Sequence, residues 1–342
     1  MTETATPRRA SRITSEIDFE REGKQVGFLR LPHSVHRSAY GWIPIPVACI
    51  RNGTGPRVLL MAGNHGDEYE GQIAFAKLLR DLEAKDVRGT IIFLTSANYP
   101  AANAGTRTSP IDDGNLNRSF PGDPDGGPTA QIAWYIENVL LPQVDYVLDL
   151  HSGGSSLMYV PSANCQRSAD PQRMDRSLSL LKAFAAPMSY VTDAAQGGDQ
   201  TLTAAARRQG VIHLGTELAG GGTLTIAALR AAEQGVRRVL KAVGALAESV
   251  PAQAAADTRV LQVRGPAYFV YAPDAGFFEP LVELGDEVAA GQSAGLIHFH
   301  DTPWREPTVA VFQRAGVVMC KRMPCRTERG DCLFHLGAPF EA

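Results

Sequence analysis

Gly63-Asn64-His65-Gly66-Asp67-Glu68 and, further along, Asp149-Leu150-His151 decide how this chain is read. Together they offer two imidazoles and a carboxylate, each where a strand-like run enters a loop. Hydrolytic zinc uses this ligand set, with three protein ligands and a fourth position open to water. His65 and Glu68 stand three apart on a strand-to-helix turn, close enough to grip one ion, and His151 supplies the third ligand. The expected cofactor is one Zn2+ per chain. Asp149 lies two residues before His151, so in a strand both face the same way. It is placed to accept the ligand histidine's other N–H and fix its tautomer.

Outward from these segments, strand-like and helix-like stretches alternate through the first 250 residues. Pro46–Ile50, Arg57–Ala62, Thr90–Ala97, Asp145–Leu150, Leu157–Val160, Met188–Val191 and Val211–Thr216 are short, apolar and mostly rich in β-branched residues, and read as strands. Helical spacing fills 129–141 after Thr129, a candidate N-cap, and a longer stripe from Ile226 to Leu246 follows Thr223, another candidate cap. Alternation over this length predicts an α/β fold: a mainly parallel sheet with helices on both faces. In such sheets ligands collect beyond the carboxyl ends of the strands.

Residues 248–257 are Ala-rich with one proline and read as a linker. Beyond them turn signals come every few residues, which predicts a smaller C-terminal all-β domain over 258–342. The zinc hydrolase unit is expected over 41–250, and 1–40 as an N-terminal extension.

Two more segments complete an order: Arg107-Thr108-Ser109-Pro110-Ile111-Asp112-Asp113-Gly114-Asn115-Leu116-Asn117-Arg118-Ser119-Phe120-Pro121-Gly122, and Gly215-Thr216-Glu217-Leu218. The series His-x-x-Glu, Arg, Asn-Arg, His, Glu resembles the zinc carboxypeptidase superfamily. Its wording is similar to the succinylglutamate desuccinylase/aspartoacylase branch, and within that to the Nα-acetyl-diaminobutyrate deacetylases, over roughly residues 20 to 250. The resemblance implies a three-layer α/β/α catalytic domain. It implies that Glu217 is the general base and acid, a role hydrolysis of an amide requires beside the metal. Arg107 stands where the family keeps an oxyanion-stabilising arginine. Asn117 and Arg118 look like the pair that holds a substrate α-carboxylate, for which the guanidinium fork is suited; Asn115 reads as a turn residue.

The turns Gly276–Pro280, Gly285–Val288 and Gly291-Gln292 resemble a biotinyl/lipoyl-type β-sandwich (a barrel-sandwich), but 296–301 carries no lysine, so no covalent prosthetic group is expected. His298 and His300 read as strand residues, His213 as a satisfied core residue, and Cys320, Cys325 and Cys332 as packed thiols.

The chain has 342 residues, 44% hydrophobic and 20% charged, with a formal charge of −3. This balance makes no electrostatic case for nucleic acid or an anionic membrane surface. No apolar run approaches the ~18 residues of a membrane span, and residues 1–23 lack the apolar core of a signal peptide. Five irregularly spaced cysteines point to a reducing, cytoplasmic compartment. The expected partner is a small-molecule N-acyl amino acid, with a homo-oligomer left open. Thr201 and Thr203, with Asp199 nearby, are expected to line the side-chain pocket, and Arg207 and Arg208 to lie at a helix C-terminus. That favours a neutral or cationic side chain. A carboxypeptidase acting on short peptides and a non-catalytic binding protein are the alternatives. The leading reading is an amidohydrolase.

Overall fold

The computed structural model describes residues 10–193 and 198–341. Its core is four parallel strands in the spatial order Gly89–Leu94, Arg57–Ala62, Tyr146–Leu150, Ile212–Glu217. Their side chains alternate between two apolar faces, as strand geometry requires. Val58, Leu60 and Ala62 join a core with Phe75, Phe184 and Val236, while Leu59 and Met61 join another with Ile132, Ile136 and Leu202. Burial on both faces explains why these strands read as unbroken apolar runs. Helices Tyr69–Asp81, Pro171–Phe184 and Ile226–Ala242 cover the first face. Pro128–Tyr135 and Leu202–Arg208 cover the second, giving the expected three layers.

Antiparallel strands extend this core at both ends. Gly23–Pro32 pairs along its whole length with Trp42–Asn52, so the sheet begins before residue 41. On the other side come Ser162–Gln166 and Met188–Thr192. Met188–Thr192 then pairs in parallel with Arg259–Val263, and that strand pairs with Cys332–Pro339. One sheet thus runs unbroken from the parallel core into the C-terminal region. A separate four-stranded sheet, Thr308–Val311, Ser293–His298, Gly276–Pro280 and Arg326–Thr327, packs there around Phe278, Phe312 and Phe334. The C-terminal region is all-β, as its turns predict.

Two helix starts differ from expectation. Thr129 is not a cap: Gly127 holds that position and Pro128 opens the helix. The Thr129 hydroxyl and N–H both donate to the Asp112 carboxylate instead, at 2.8 Å each. This helix turns π-helical over Ile136–Leu140. At the second start the cap is Thr225, whose hydroxyl accepts from the Ala228 N–H, while Thr223 donates to the Gly220 carbonyl. Two threonines in one turn made either a plausible cap, and the fold of the glycine loop before them decides between them.

Helix Ile226–Ala242 packs closely on Pro171–Phe184 because Gly235 faces the ring of Phe184. A Cβ on Gly235 would lie 2.6–2.7 Å from three ring atoms of that fully buried phenylalanine. Alanine in a helix interior ordinarily gains about 0.5–1 kcal/mol over glycine, but overpacking costs about 1–3 kcal/mol. We expect Gly235→Ala to lower stability by about 1–2 kcal/mol in urea unfolding; a stabilised variant would show that this helix pair has slack.

Candidate metal centre and active site

The candidate metal ligands, catalytic groups and carboxylate-binding pair lie at or beyond the carboxyl ends of the four parallel strands, with Asp149 near the end of Tyr146–Leu150. His65 follows the strand Arg57–Ala62, Arg107, Asn117 and Arg118 follow Gly89–Leu94, His151 follows Tyr146–Leu150, and Glu217 ends Ile212–Glu217. The loop carrying His65 is shaped by glycine. Gly63 has φ +65°, and a Cβ on Gly66 would stand 2.0 Å from the Ala101 carbonyl oxygen. That close approach lets the Gly66 N–H donate to the Thr106 carbonyl at 2.9 Å, which brings Arg107 beside His65.

His65, Glu68 and His151 gather with their ligand atoms within 4.8 Å of one another. His65 Nδ1 lies 2.7 Å from Glu68 Oε1 and His151 Nδ1 lies 2.7 Å from Glu68 Oε2. The opposite ring nitrogens are also held. His151 Nε2 faces Asp149 Oδ2 at 2.8 Å, and His65 Nε2 faces Asn115 Oδ1 at 3.2 Å. Both acceptors suit a proton on Nε2, and with a metal bound both Nδ1 atoms would be free to ligate it beside the carboxylate. This donor set fits a divalent metal that takes nitrogen and oxygen ligands. Among the described residues it is the one such group of three. Arg107 Nη1 lies 3.5 Å from Glu68 Oε1 and 3.3 Å from His65 Nδ1.

The loops are fastened to each other. Asp67 accepts from the backbone and hydroxyl of Ser155, at 2.7 and 2.8 Å. The Leu218 N–H donates to the His151 carbonyl, and the Ala219 carbonyl accepts from Gly153 and Tyr159. Gly220 has φ +137° and its Cβ would lie 2.0 Å from the Leu157 carbonyl oxygen, so only glycine fits there.

Glu217 borders a cavity of about 460 Å³ that also exposes the metal-ligand group, Arg107, Asn117 and Arg118. Burial, then the neighbouring Glu68 charge, raise its carboxyl to about 8, and its Oε2 has no hydrogen-bond partner. Ionised Glu217 at neutral pH therefore calls for positive charge close by. Asn117 Oδ1 accepts the Leu202 N–H at 2.9 Å, which leaves its amide NH2 for another partner. Thr201 and Thr203 line the cavity as expected. Asp199 does not: its side chain is 84% exposed and pairs with Arg207 at 2.8 Å. Arg208 clasps the buried Glu137.

Some of the surroundings escape a reading of the sequence. Asn115, a turn residue by sequence, orients His65. Phe269 and His335 come from the C-terminal region to form part of the cavity wall, and the His335 ring stacks on Phe269 with centroids 4.3 Å apart. His213, expected to be satisfied in the core, is buried with neither ring nitrogen partnered. Only Asn115 had a local signal, its place in Asn-Leu-Asn-Arg. His298 instead pairs with Glu279 at 2.6 Å on the C-terminal sheet, and the five cysteines are free.

The family model for the succinylglutamate desuccinylase/aspartoacylase catalytic domain matches residues 54–243. The N-alpha-acetyl-L-2,4-diaminobutyric acid deacetylase of Halomonas elongata is 41% identical over 329 residues, covering 95% of this chain and 94% of that protein. The product-bound ectoine utilization protein EutE (DoeB) of Ruegeria pomeroyi superposes with a TM-score of 0.91 at 38% identity, over 96% of this chain and all of that one. A succinylglutamate desuccinylase/aspartoacylase from Rhodobacter sphaeroides does so with the same TM-score at 39% identity, over 97% of this chain and 100% of the other. With the domain matched over more than half its length and a relative of this identity spanning nearly all of it, the chain belongs to the succinylglutamate desuccinylase/aspartoacylase family.

Proposed function

We propose that the protein is a zinc-dependent deacylase that hydrolyses the amide of a small N-acyl amino acid, with Nα-acetyl-2,4-diaminobutyrate as the substrate. The observation that carries this is the convergence of His65, Glu68 and His151 beside Glu217 in one cavity. The relatives supply the substrate. His65, Glu68 and His151 would hold the zinc ion, which would supply a Lewis acid for the carbonyl and a lowered pKa for water, towards about 7. Glu217 takes the proton from the attacking water and returns it to the departing amine. Arg107 places its charge where the carbonyl oxygen becomes negative. Arg118 and the free amide NH2 of Asn117 hold the α-carboxylate, which orients the scissile bond. Asp149 and Asn115 keep the two ligand imidazoles in the right tautomer.

A walled cavity of this size suits a small acyl amino acid better than a peptide. This favours deacylation over the carboxypeptidase alternative, and a built set of ligands and base argues against a pure binding protein. In this reading residues 41–250 carry the chemistry and 258–342 close the cavity. Among the described residues no helix is long and apolar enough to cross a membrane, and the free thiols agree with a reducing, cytoplasmic compartment.

Purified protein should hold about one zinc per chain by elemental analysis. His65→Ala and His151→Ala should lose it along with activity, yet keep the far-ultraviolet circular dichroism of the wild type; full occupancy in both would sink the ligand assignment. Glu217→Gln should retain zinc and lose roughly 10²–10⁴ in kcat, since the proton carrier goes and the ligands stay. A near-normal kcat would mean another group is the base. Methyl-esterifying the substrate's α-carboxylate should depress kcat/KM strongly in wild type and little in Arg118→Ala. Equal sensitivity of the two enzymes to the ester would remove Arg118 from carboxylate binding.

A further inference from the structure

His213, like His335 from the C-terminal region, is a buried imidazole of the cavity wall that the mechanism leaves unused. It lies on the strand Ile212–Glu217, on the same face as Gly215 and Glu217 because alternate residues share a face. It is 7% exposed and borders the catalytic cavity, and neither of its ring nitrogens has a partner. Buried polar groups are ordinarily satisfied, so such a group at a cavity wall marks a place where something else bonds.

Its surroundings say which part of a substrate arrives there. Gly215 pairs with Asn164 on the antiparallel neighbour, and Gln166, two residues further along that strand, lines the cavity together with His213. Gln166 pairs in turn with Thr192. From the other wall Thr203 approaches on the helix Leu202–Arg208, whose first N–H is the one held by Asn117. The α-carboxylate pair and His213 therefore flank one short helix end. A substrate held by its carboxylate at Asn117 and Arg118, with its amide beside Glu217, turns its side chain towards His213.

The groups at that end are a neutral amide, two threonine hydroxyls and one imidazole. Burial, the largest influence, pulls the His213 ring down to about 4, with Asp149 opposing and His151 and Arg173 assisting. The ring is therefore neutral near pH 7 and keeps a lone pair to offer. The guanidinium groups behind it are engaged: Arg173 donates to the Val211 carbonyl, and Arg207 donates to the Asp199 carboxylate and, at 3.4 Å, to Gln166 Oε1. An ammonium finds acceptors here in the neutral ring and the threonine hydroxyls.

We infer that His213 determines specificity for the substrate's side chain: a ring nitrogen accepts a hydrogen bond from an ammonium at the end of a short aliphatic arm. This selects Nα-acyl diamino acids over their apolar isosteres and over acyl dicarboxylic amino acids. The inference rests on the deacylase reading above.

The test uses the zinc-loaded enzyme with three substrates: Nα-acetyl-2,4-diaminobutyrate, Nα-acetylnorvaline (a methyl in place of the ammonium) and N-acetylaspartate. Wild type should favour the first. His213→Leu should cut the diaminobutyrate-to-norvaline ratio of kcat/KM roughly 10- to 100-fold, because the charged donor then has no acceptor. His213→Gln, which retains an acceptor oxygen, should keep most of the ratio. Ratios taken on one preparation do not depend on how much of it is folded. An unchanged ratio in His213→Leu, with both substrates slowed alike, would make His213 a structural residue and overturn the inference. A wild-type preference for norvaline or aspartate would overturn it while leaving the deacylase intact. Failure to hydrolyse any of the three would bring down the deacylase reading itself.

Discussion

The Glu68 carboxylate is the joint on which this site depends. Its two oxygens meet an imidazole from each of two loops, His65 from its own and His151 from the loop after the next strand in the sheet. Pairing three ionisable groups in a buried space is stable only when a positive charge and good hydrogen bonds offset the loss of water. The structure supplies the hydrogen bonds from behind, through Asp149 and Asn115, and further fasteners through Asp67 and Ser155. The positive charge is what a metal brings. Gly66 and Gly220 belong to the same device, because each lets two backbones approach closer than a side chain would allow.

The same arrangement sets the electrostatics of catalysis. Glu217 shares its cavity with Glu68 and Asp149, and the cavity's exposed cations are Arg107 and Arg118. A base surrounded by negative charge holds its proton too tightly unless a cation is present, so in the proposed deacylase metal loading and base function would be coupled. This division puts the positive groups where a carboxylate and a developing oxyanion would lie. The acidic groups line the side where the proposed reaction would activate water.

Much of this was legible in sequence because it depends on local spacing. Arg57–Ala62 and Tyr146–Leu150 are buried on both faces, so they announce themselves as apolar runs, and their ends mark the ligands. Ser162–Gln166 escaped notice for the opposite reason. One of its faces floors the cavity, so Ser162, Asn164 and Gln166 make it look like a loop. Gly23–Pro32 also escaped, since it flanks the sheet with Val26 and Phe28 exposed among polar residues. Sequence reads His213 as a satisfied core residue and Asn115 as a turn residue, because what they face is contributed by distant segments. Asp199 was misjudged: proximity in sequence to Thr201 says nothing about direction, and it points to solvent and Arg207.

The unbroken sheet has a mechanical meaning. Two halves joined by a single linker can swing apart to admit a ligand. Here the C-terminal strands are hydrogen-bonded into the catalytic sheet through Arg259–Val263, and Leu157–Tyr159 pairs with Gly316–Arg322 beside the cavity. Opening along that seam would break ladders at two places at once. Traffic in and out of the site must therefore be managed by side chains and loops at its rim, such as Arg107, 47% exposed, while the walls stay still. A chamber with fixed walls discriminates by shape and size at every turnover, with no closing motion needed to assemble it.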